Sequence, residues 1–167
     1  ITQAHPCSYL NDKQAQLQVL APTQLPLTQT YPLLIHHNFR RSGDALYRPH
    51  CPSCQACMSV RIDCAEFSPN RSQKRIFKQH QHLQARISAL DYHPDDFALY
   101  QRYQQQRHAT GDMQSDAPED YQKNLLHKGA QSKIIRFYDA QNTLKIVSIV
   151  DVLPDGLSAV YTFYAPE

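Results

Sequence analysis

The stretch "YRPHCPSCQAC", residues 47–57, holds side chains that could bind a metal ion. Cys51, Cys54 and Cys57 follow one another at a spacing of three, which lets successive thiolates converge on one ion. Tetrahedral zinc needs a fourth ligand, and Cys7 in "HPCSYL" is the first candidate. The substitutes for Cys7 are His5, His50 and Cys64. The pattern therefore indicates a zinc site or an iron-sulfur cluster.

Other uses of these cysteines stay open at this point. A bacterial ferredoxin motif would close with a fourth Cys followed by Pro, which is missing, so the sequence disfavours electron transfer. Disulfides are disfavoured by the odd number of cysteines, five, and by the lack of a signal-peptide pattern. The remaining alternative is that the cysteines are reduced thiols that pack like small apolar side chains.

Positive charge is concentrated in the segment that contains and follows the cysteines. Residues 40–78 carry eight Lys and Arg against three acids, a local excess of five charges, while the rest of the chain has a net charge of −3. This asymmetry favours a carboxylate or polyanion ligand, because guanidinium groups bind carboxylate and phosphate with two hydrogen bonds. The alternative is a solvated surface. The candidate binding residues are Arg40, Arg41, Arg48, Arg71, Lys74 and Arg75.

Length and composition limit the class of protein. The 167 residues suit one domain or two small lobes, and 41% apolar residues suffice for a core. No apolar run reaches about 18 residues, so we expect no membrane-spanning helix. The chain starts at Ile1 without the basic and apolar regions of a signal peptide, so we expect a cytoplasmic protein.

The cysteines lie among elements that can be predicted from local patterns. Residues 28–38 predict a helix with Pro32 near its first turn, and "FRRSGDALYRP" predicts two extended pieces around residues 42–44. In "MSVRID", residues 58–63, apolar and polar side chains alternate, which predicts a half-buried strand.

A basic helix is predicted next, with Ser68 as its N-cap and Pro69 at the first helical position. Its cations recur at i, i+3, i+4 and i+7, so they share one face, and two apolar side chains point elsewhere. These cations are Arg71, Lys74, Arg75 and Lys78, and the apolar pair is Ile76 and Phe77.

The rest of the chain predicts an α+β arrangement that ends in an antiparallel meander. "HLQARIS" indicates a strand, "HPDDFALYQRYQQQRH" an amphipathic helix, and residues 121–127 a short helix after the polar connection "ATGDMQSDAPED". "SKIIRFYD", "TLKIVSIVDV" and "LSAVYTFYA" indicate three strands joined by turns. No GxGxxG follows a strand, so a dinucleotide-binding unit is not supported.

Four motifs in fixed order, "HPCSYL", "NFRRSGDALYRPHCPSCQACMSVRI", "FSPNRSQKR" and "YTFYAPE", resemble the aminoacyl-tRNA–protein transferase family, and its bacterial aspartate/glutamate leucyltransferase branch in particular. The resemblance runs from Ala4 to Glu167. It implies transfer of leucine from leucyl-tRNA to the α-amino group of proteins that begin with Asp or Glu, which creates a destabilising N-terminus in an N-degron pathway.

The resemblance also implies a fold. A cysteine-bearing, basic N-terminal lobe, residues 1–67, would be joined to an acetyltransferase-like (GNAT) core, residues 68–167. Members of the family continue for some tens of residues beyond "YTFYAPE", so the last part of that core is expected beyond Glu167. The catalytic candidates are Tyr161 and Tyr164, for which core packing is the alternative.

Aminoacyl transfer is compatible with these residues, because an aminoacyl ester is already activated and the enzyme mainly positions the amine and stabilises an oxyanion. No cofactor is then required for the chemistry, and aminoacyl-tRNA is the co-substrate. Three alternatives remain: arginyl transfer by the same chemistry, a non-catalytic zinc-knuckle module that binds RNA, and an ordinary acetyltransferase. The last would need a pyrophosphate-binding loop, which this sequence lacks.

Overall fold

A computed structural model describes residues 1–20, 26–108, 117–127 and 130–166 of the chain. The chain divides into two compact units, Ile1–Arg61 and Ile62–Glu167, which we call unit 1 and unit 2. Within the described ranges, every helix is too short or too polar to span a bilayer. The fold is α+β, with antiparallel strand pairing in every sheet.

The described residues of unit 1 form short strands, one α-helix and a 3₁₀ turn. Its elements are β1 (His5–Pro6), β2 (Gln14–Ala15), β3 (Leu17–Leu20), α1 (Leu27–Leu34), β4 (Arg40–Ser42) and β5 (Ala45–Pro49). β1 pairs with β2, and a three-stranded sheet has the order β3-β5-β4. The predicted extended pieces are confirmed as the β4–β5 hairpin, whose turn uses Gly43 at a φ of 58°, a conformation that glycine adopts without steric cost.

Helix α1 is confirmed, but Pro32 is the sixth of its eight residues rather than a first-turn residue. Pro32 has no N–H to donate, so the helix lacks one bond of its ladder. A short 3₁₀ turn, Ile35–His37, continues the helix. It ends at Asn38, which has a left-handed φ of 65° and whose N–H donates to the Ile35 carbonyl at 3.2 Å.

The predicted strand at residues 58–63 is wrong, because this segment pairs with no strand in the described part of the chain. Met58, Val60 and Ile62 are 64% to 83% exposed. Alternation predicts only which side chains share a face, whereas a strand also needs a neighbour for its backbone N–H and C=O groups.

The basic helix of unit 2 is α2 (Arg71–His80), and its N-cap is Asn70, two residues after the predicted Ser68. The Asn70 side-chain oxygen accepts from the Gln73 N–H at 2.9 Å, and the Gln73 side chain accepts from the Asn70 N–H at 2.8 Å. This reciprocal capping box fixes the start of the helix. Every residue of α2 is exposed.

The remaining elements of unit 2 form a sheet with helices packed on one face. They are β6 (Gln84–Ala89), α3 (Pro94–Arg107), α4 (Pro118–Leu125), β7 (Ser132–Tyr138), β8 (Leu144–Leu153) and β9 (Gly156–Tyr164). The four strands pair in the order β6-β7-β8-β9, so the predicted meander is confirmed. Helix α4 begins three residues before its predicted start, with Pro118 at its N-terminus. Most of the predicted polar connection before α4 lies outside the described residues.

The core of unit 2 lies between α3, α4 and one face of this sheet. Ile134, Val147, Ile149 and Phe163 of the strands are fully buried, and Leu99 and Tyr121 of the helices are 1% exposed. The four strand side chains alternate along β7, β8 and β9 with less buried residues, as a sheet with one covered face requires.

An ion pair inside this core joins α3 to β7. Arg136 of β7 is 8% exposed and Asp96 of α3 is fully buried. The guanidinium donates from Nε and Nη2 to the two Asp96 carboxylate oxygens at 2.7–3.0 Å. Its Nη1 donates to Ser88 Oγ on β6 at 2.7 Å, and Nη2 also donates to Asp91 at 2.9 Å. The hydrogen bonds with Asp96, and to a smaller extent the one with Asp91, raise the pKa of Arg136.

We predict that Asp96→Ala lowers the free energy of unfolding by about 3–5 kcal/mol, because the variant leaves the buried Arg136 charge without its partner. Urea denaturation followed by circular dichroism measures the change. The matched control is Asp95→Ala, whose side chain is 77% exposed and for which we expect less than about 1 kcal/mol. Equal losses for the two variants would show that the buried pair has no special role in stability.

Candidate functional site

Aromatic side chains from α3 and β9 meet at one side of unit 2. The ring of Tyr100 lies 6.2 Å from that of Tyr161 and 5.5 Å from that of Phe163, edge to face in both cases. Tyr103, one helical turn further along α3, lies 5.0 Å from Tyr164 at the end of β9. Both candidate tyrosines of the sequence are therefore next to α3, where each meets a different part of the helix.

A buried amide sits between these rings. Gln104 of α3 is 1% exposed, and its Nε2 donates to the Tyr161 hydroxyl oxygen at 2.8 Å. The other amide atom, Oε1, has no hydrogen-bond partner among the described residues. The amide thus holds the Tyr161 oxygen in place by donating to it.

The Tyr161 hydroxyl is a hydrogen-bond donor at neutral pH. Burial, with a smaller effect of Tyr100, raises the pKa of Tyr161 to about 12, so the phenol keeps its proton. Because Gln104 donates to the phenol oxygen, the phenol proton is left to point at another acceptor. This arrangement can stabilise a negative oxygen that approaches Tyr161.

Arg107 and His108 adjoin the rings at the C-terminal end of α3. The Arg107 guanidinium carbon lies 5.8 Å from the centre of the Tyr164 ring, and the His108 ring lies 5.5 Å from that of Tyr103. Tyr164 is 37% exposed, and Arg107 and His108 are exposed. We call Tyr103, Tyr164 and Arg107 the aromatic-cation cluster. It combines accessible ring surface with positive charge.

The three arginines predicted in unit 1 lie in different environments. Arg40 is exposed on β4, whereas Arg41 is 6% exposed and its Nη1 donates to the Gly43 carbonyl at 3.5 Å. Arg48 donates from Nε to the Gln18 side-chain oxygen at 2.8 Å. Its guanidinium also lies 4.9 Å from the centre of the Phe39 ring. Arg40 is therefore the most accessible of the three.

The end of the 3₁₀ turn attracts two of the arginines in unit 1. Arg48 donates to the His37 carbonyl at 3.2 Å, and Arg61 donates to the Ile35 carbonyl at 3.2 Å. Carbonyl groups at a helix C-terminus carry partial negative charge, so guanidinium groups stabilise them. Arg61 also contacts His36 Nδ1 at 2.8 Å. Part of the positive charge in this segment thus stabilises the fold.

The cations of α2 differ in this respect. Arg71, Lys74, Arg75 and Lys78 are exposed on one face of the helix, as predicted. No ion pair involves them within the described ranges. This basic face of α2 is a solvated cationic surface that is accessible to a ligand.

The cysteines do not form the predicted metal site in the structure. All five are free, with Cys57 and Cys64 exposed and the other three half-buried. Nowhere in the described residues do three His, Cys, Asp or Glu side chains lie close enough to hold an ion. Cys51 Sγ instead donates to the Gln16 carbonyl at 3.8 Å. Hydrogen bonds from backbone N–H groups of Tyr9 and Leu10 lower the pKa of Cys7.

The sequence interpretation missed Gln104 and Arg107. A signal for both exists, because Tyr100, Tyr103, Gln104 and Arg107 follow the i, i+3, i+4, i+7 spacing of one helical face. Taken alone, the polar residues Gln104 and Arg107 predict a solvent-exposed helix face. Their position beside β9 becomes visible only when the strand is in place.

Comparison with known proteins is consistent over both units. A family model described as "Arginine-tRNA-protein transferase, N terminus" matches residues 5–75, and one described as "Arginine-tRNA-protein transferase, C terminus" matches residues 95–167. A Nitrosospira multiformis protein named aspartate/glutamate leucyltransferase is 45% identical over 166 residues, which covers 99% of this chain and 66% of the relative.

Two further relatives carry the same name, aspartate/glutamate leucyltransferase. The Pseudomonas fluorescens protein is 46% identical over 168 residues, covering 99% of this chain and 70% of the relative. The Chromobacterium violaceum protein is 44% identical over 166 residues, covering 99% and 68%. The chain thus spans about two thirds of the length of these relatives.

We predict that Arg48→Ala lowers the free energy of unfolding by about 1–3 kcal/mol, because it removes a charged hydrogen bond to Gln18, a bond to the His37 carbonyl and a cation–π contact. Thermal unfolding of the variant measures the change. Arg40→Ala is the matched control, with an expected change within about 0.5 kcal/mol because Arg40 is exposed. If Arg40→Ala loses stability and Arg48→Ala does not, Arg48 is not the arginine that stabilises unit 1.

Proposed function

The chain belongs to the aminoacyl-tRNA–protein transferase family, and on this premise we propose that the protein transfers leucine from leucyl-tRNA to the α-amino group of proteins that begin with Asp or Glu. The observation that carries the proposal is the match of 44% to 46% identity over 99% of the chain to proteins named aspartate/glutamate leucyltransferase. A leucine added in this way is a destabilising N-terminal residue, which assigns the enzyme to an N-degron pathway.

The reaction joins an amine to an ester. The acceptor nitrogen attacks the ester carbonyl, a C–N bond forms, the bond from the carbonyl carbon to the ribose oxygen breaks, and the amine proton ends on that ribose oxygen. Because the ester is already activated, catalysis consists mainly of positioning and of stabilising the oxyanion. No step needs a covalent enzyme intermediate or a cofactor.

Tyr161 is the proposed oxyanion donor. Its protonated hydroxyl is held by the Gln104 amide, so the phenol proton is available for the ester oxygen as negative charge develops. Tyr164 is the proposed neighbour that lines the same side of the site, at the exposed end of β9.

The cations have proposed roles in substrate binding. The basic face of α2, with Arg71, Lys74 and Arg75, suits the phosphates of tRNA, because nothing in the described part of the chain neutralises it. Arg40 is the proposed contact for the acidic side chain of the acceptor. Arg41 and Arg48 flank it on the β4–β5 hairpin and are proposed to support that contact.

Family membership also favours finer features of the fold. We propose that unit 2, whose described residues form helices α2, α3 and α4 and the antiparallel sheet β6-β7-β8-β9, is part of an acetyltransferase-like core, and that the cysteine-bearing lobe extends to about residue 67. A tRNA co-substrate favours a cytoplasmic location. The zinc or iron-sulfur site of Cys7, Cys51, Cys54 and Cys57 stays a prediction from the sequence, since the described residues do not assemble it.

A transfer assay tests the function. Full-length protein is incubated with radiolabelled leucyl-tRNA or arginyl-tRNA and with matched acceptor proteins that begin with Asp, Glu, Lys or Ala. We expect leucine to be incorporated into the Asp and Glu acceptors alone. Incorporation of arginine in place of leucine would show that arginine is the transferred amino acid. Binding of tRNA without transfer of either amino acid would favour the non-catalytic RNA-binding module.

We predict that Tyr161→Phe lowers kcat about 10²- to 10³-fold with little change in KM, the size of effect expected for one oxyanion donor. In the parent enzyme, this donor keeps its proton throughout pH 7 to 10, because the raised pKa of about 12 lies above that range. Steady-state kinetics on acceptor proteins that begin with Asp measures kcat and KM.

Tyr92→Phe is the matched control in this series, since Tyr92 is a partly exposed tyrosine of the same unit whose ring packs on Phe97 and Tyr121. Its kcat should stay within about twofold of the parent. A Tyr161→Phe variant with parental kcat would exclude the hydroxyl as the oxyanion donor.

A further inference from the structure

The aromatic-cation cluster at the end of α3 and β9 has a surface that simple core packing does not require. Tyr164 is 37% exposed, although its ring contacts Tyr103 at 5.0 Å, and Arg107 lies 5.8 Å from the ring centre on an exposed part of the helix. Within the described residues, Arg107 forms no ion pair. The cluster thus presents an aromatic face and a guanidinium group to a ligand.

The chemistry of this surface fits an unpaired nucleobase. A base offers a flat π-face that stacks on tyrosine or on a guanidinium plane, and this stacking tolerates any base. Positive charge beside the rings also suits a ligand that carries phosphates. A peptide or an acidic side chain would use the cation but would leave the aromatic face without a partner.

The position of the cluster connects it to the proposed reaction. Tyr161 and Tyr164 lie on the same strand, about 10 Å apart at 3.3 Å per residue. Tyr103 and Gln104 are neighbours on α3, and Gln104 holds the Tyr161 hydroxyl. The distance from a base stacked on Tyr164 to the Tyr161 hydroxyl, the proposed oxyanion donor, is therefore about the length of one nucleotide.

We propose that the aromatic-cation cluster binds the unpaired base at the 3′ end of the RNA donor by stacking on Tyr164, with Arg107 beside it. This inference rests on the proposed function, because the base placed on Tyr164 belongs to the nucleotide that carries the aminoacyl ester. Tyr161 is the proposed oxyanion donor for that ester. The site contributes affinity and orientation to the donor, and it is separate from the phosphate contacts of α2.

The absence of tryptophan from the 167 residues allows a direct probe. Tyr164→Trp in full-length protein introduces an indole at the stacking position, with the unsubstituted protein as the fluorescence baseline. The probe ligands are a short RNA hairpin that ends in single-stranded CCA and the same hairpin with an abasic 3′-terminal nucleotide. We expect quenching by the first hairpin and not by the second, because stacking on a base quenches the indole.

Binding of the two hairpins by other variants separates stacking from charge. In the unsubstituted protein, loss of the terminal base should weaken binding about fivefold to 150-fold, the equivalent of 1–3 kcal/mol for one stacked base. In Tyr164→Leu the two hairpins should bind equally, whereas Tyr164→Phe should retain the difference. If Tyr164→Leu does not fold, Arg107→Gln should still reduce the difference about two- to fivefold.

Arg75→Ala on α2 is the contrasting variant, because it should weaken both hairpins alike and lower the salt dependence of binding. Equal binding of the two hairpins by the unsubstituted protein, or a base effect that survives Tyr164→Leu, would overturn the stacking site. Those results would leave leucine transfer untouched. Conversely, base-dependent quenching in a protein that transfers no amino acid would overturn the proposed function and leave base stacking on Tyr164 in place.

Discussion

The buried ion pair between Arg136 and Asp96 fixes the geometry on which the candidate site depends. A charge in the core is tolerated only if its partner and its hydrogen bonds are complete. The Arg136 guanidinium satisfies this condition with groups from β6, from the loop that follows β6 and from α3. Because the bonds to Asp96 use two nitrogens and both carboxylate oxygens, they restrict the rotation and sliding of α3 over β7.

The position of α3 then decides where its polar face points. Asp96 lies in the first turn and Gln104 eight residues later, about 12 Å along the helix axis. With the first turn held against β7, the later turns pass β9, where Tyr100 meets Phe163 and Gln104 meets Tyr161. The hydroxyl that we propose as oxyanion donor is thus positioned by an interaction at the opposite end of the helix.

The sequence allowed prediction of the elements but not of this interaction. Helix α3 and strands β7 to β9 follow from periodicity, Pro94 and turn residues, all of which are local signals. Asp96 and Arg136 are 40 residues apart, and each alone resembles a surface charge. The same limit explains the failed strand at residues 58–63, because no local pattern specifies a pairing neighbour. It also explains why the structural contacts of Arg48 were not predicted, because its bonds to Gln18 and His37 join segments distant in sequence.

The charges of the chain divide by their surroundings rather than by their place in the sequence. Arg41, Arg48 and Arg61 donate to nearby carbonyl or side-chain groups, so part of their charge stabilises unit 1. The basic face of α2 has no ion-pair partners in the described ranges. The repulsion among its four cations is therefore reduced by solvent, salt or a ligand. A phosphate chain offers the largest such reduction because it releases condensed counterions as it binds. The concentration of cations on one exposed helix therefore supports the proposed contact of α2 with RNA.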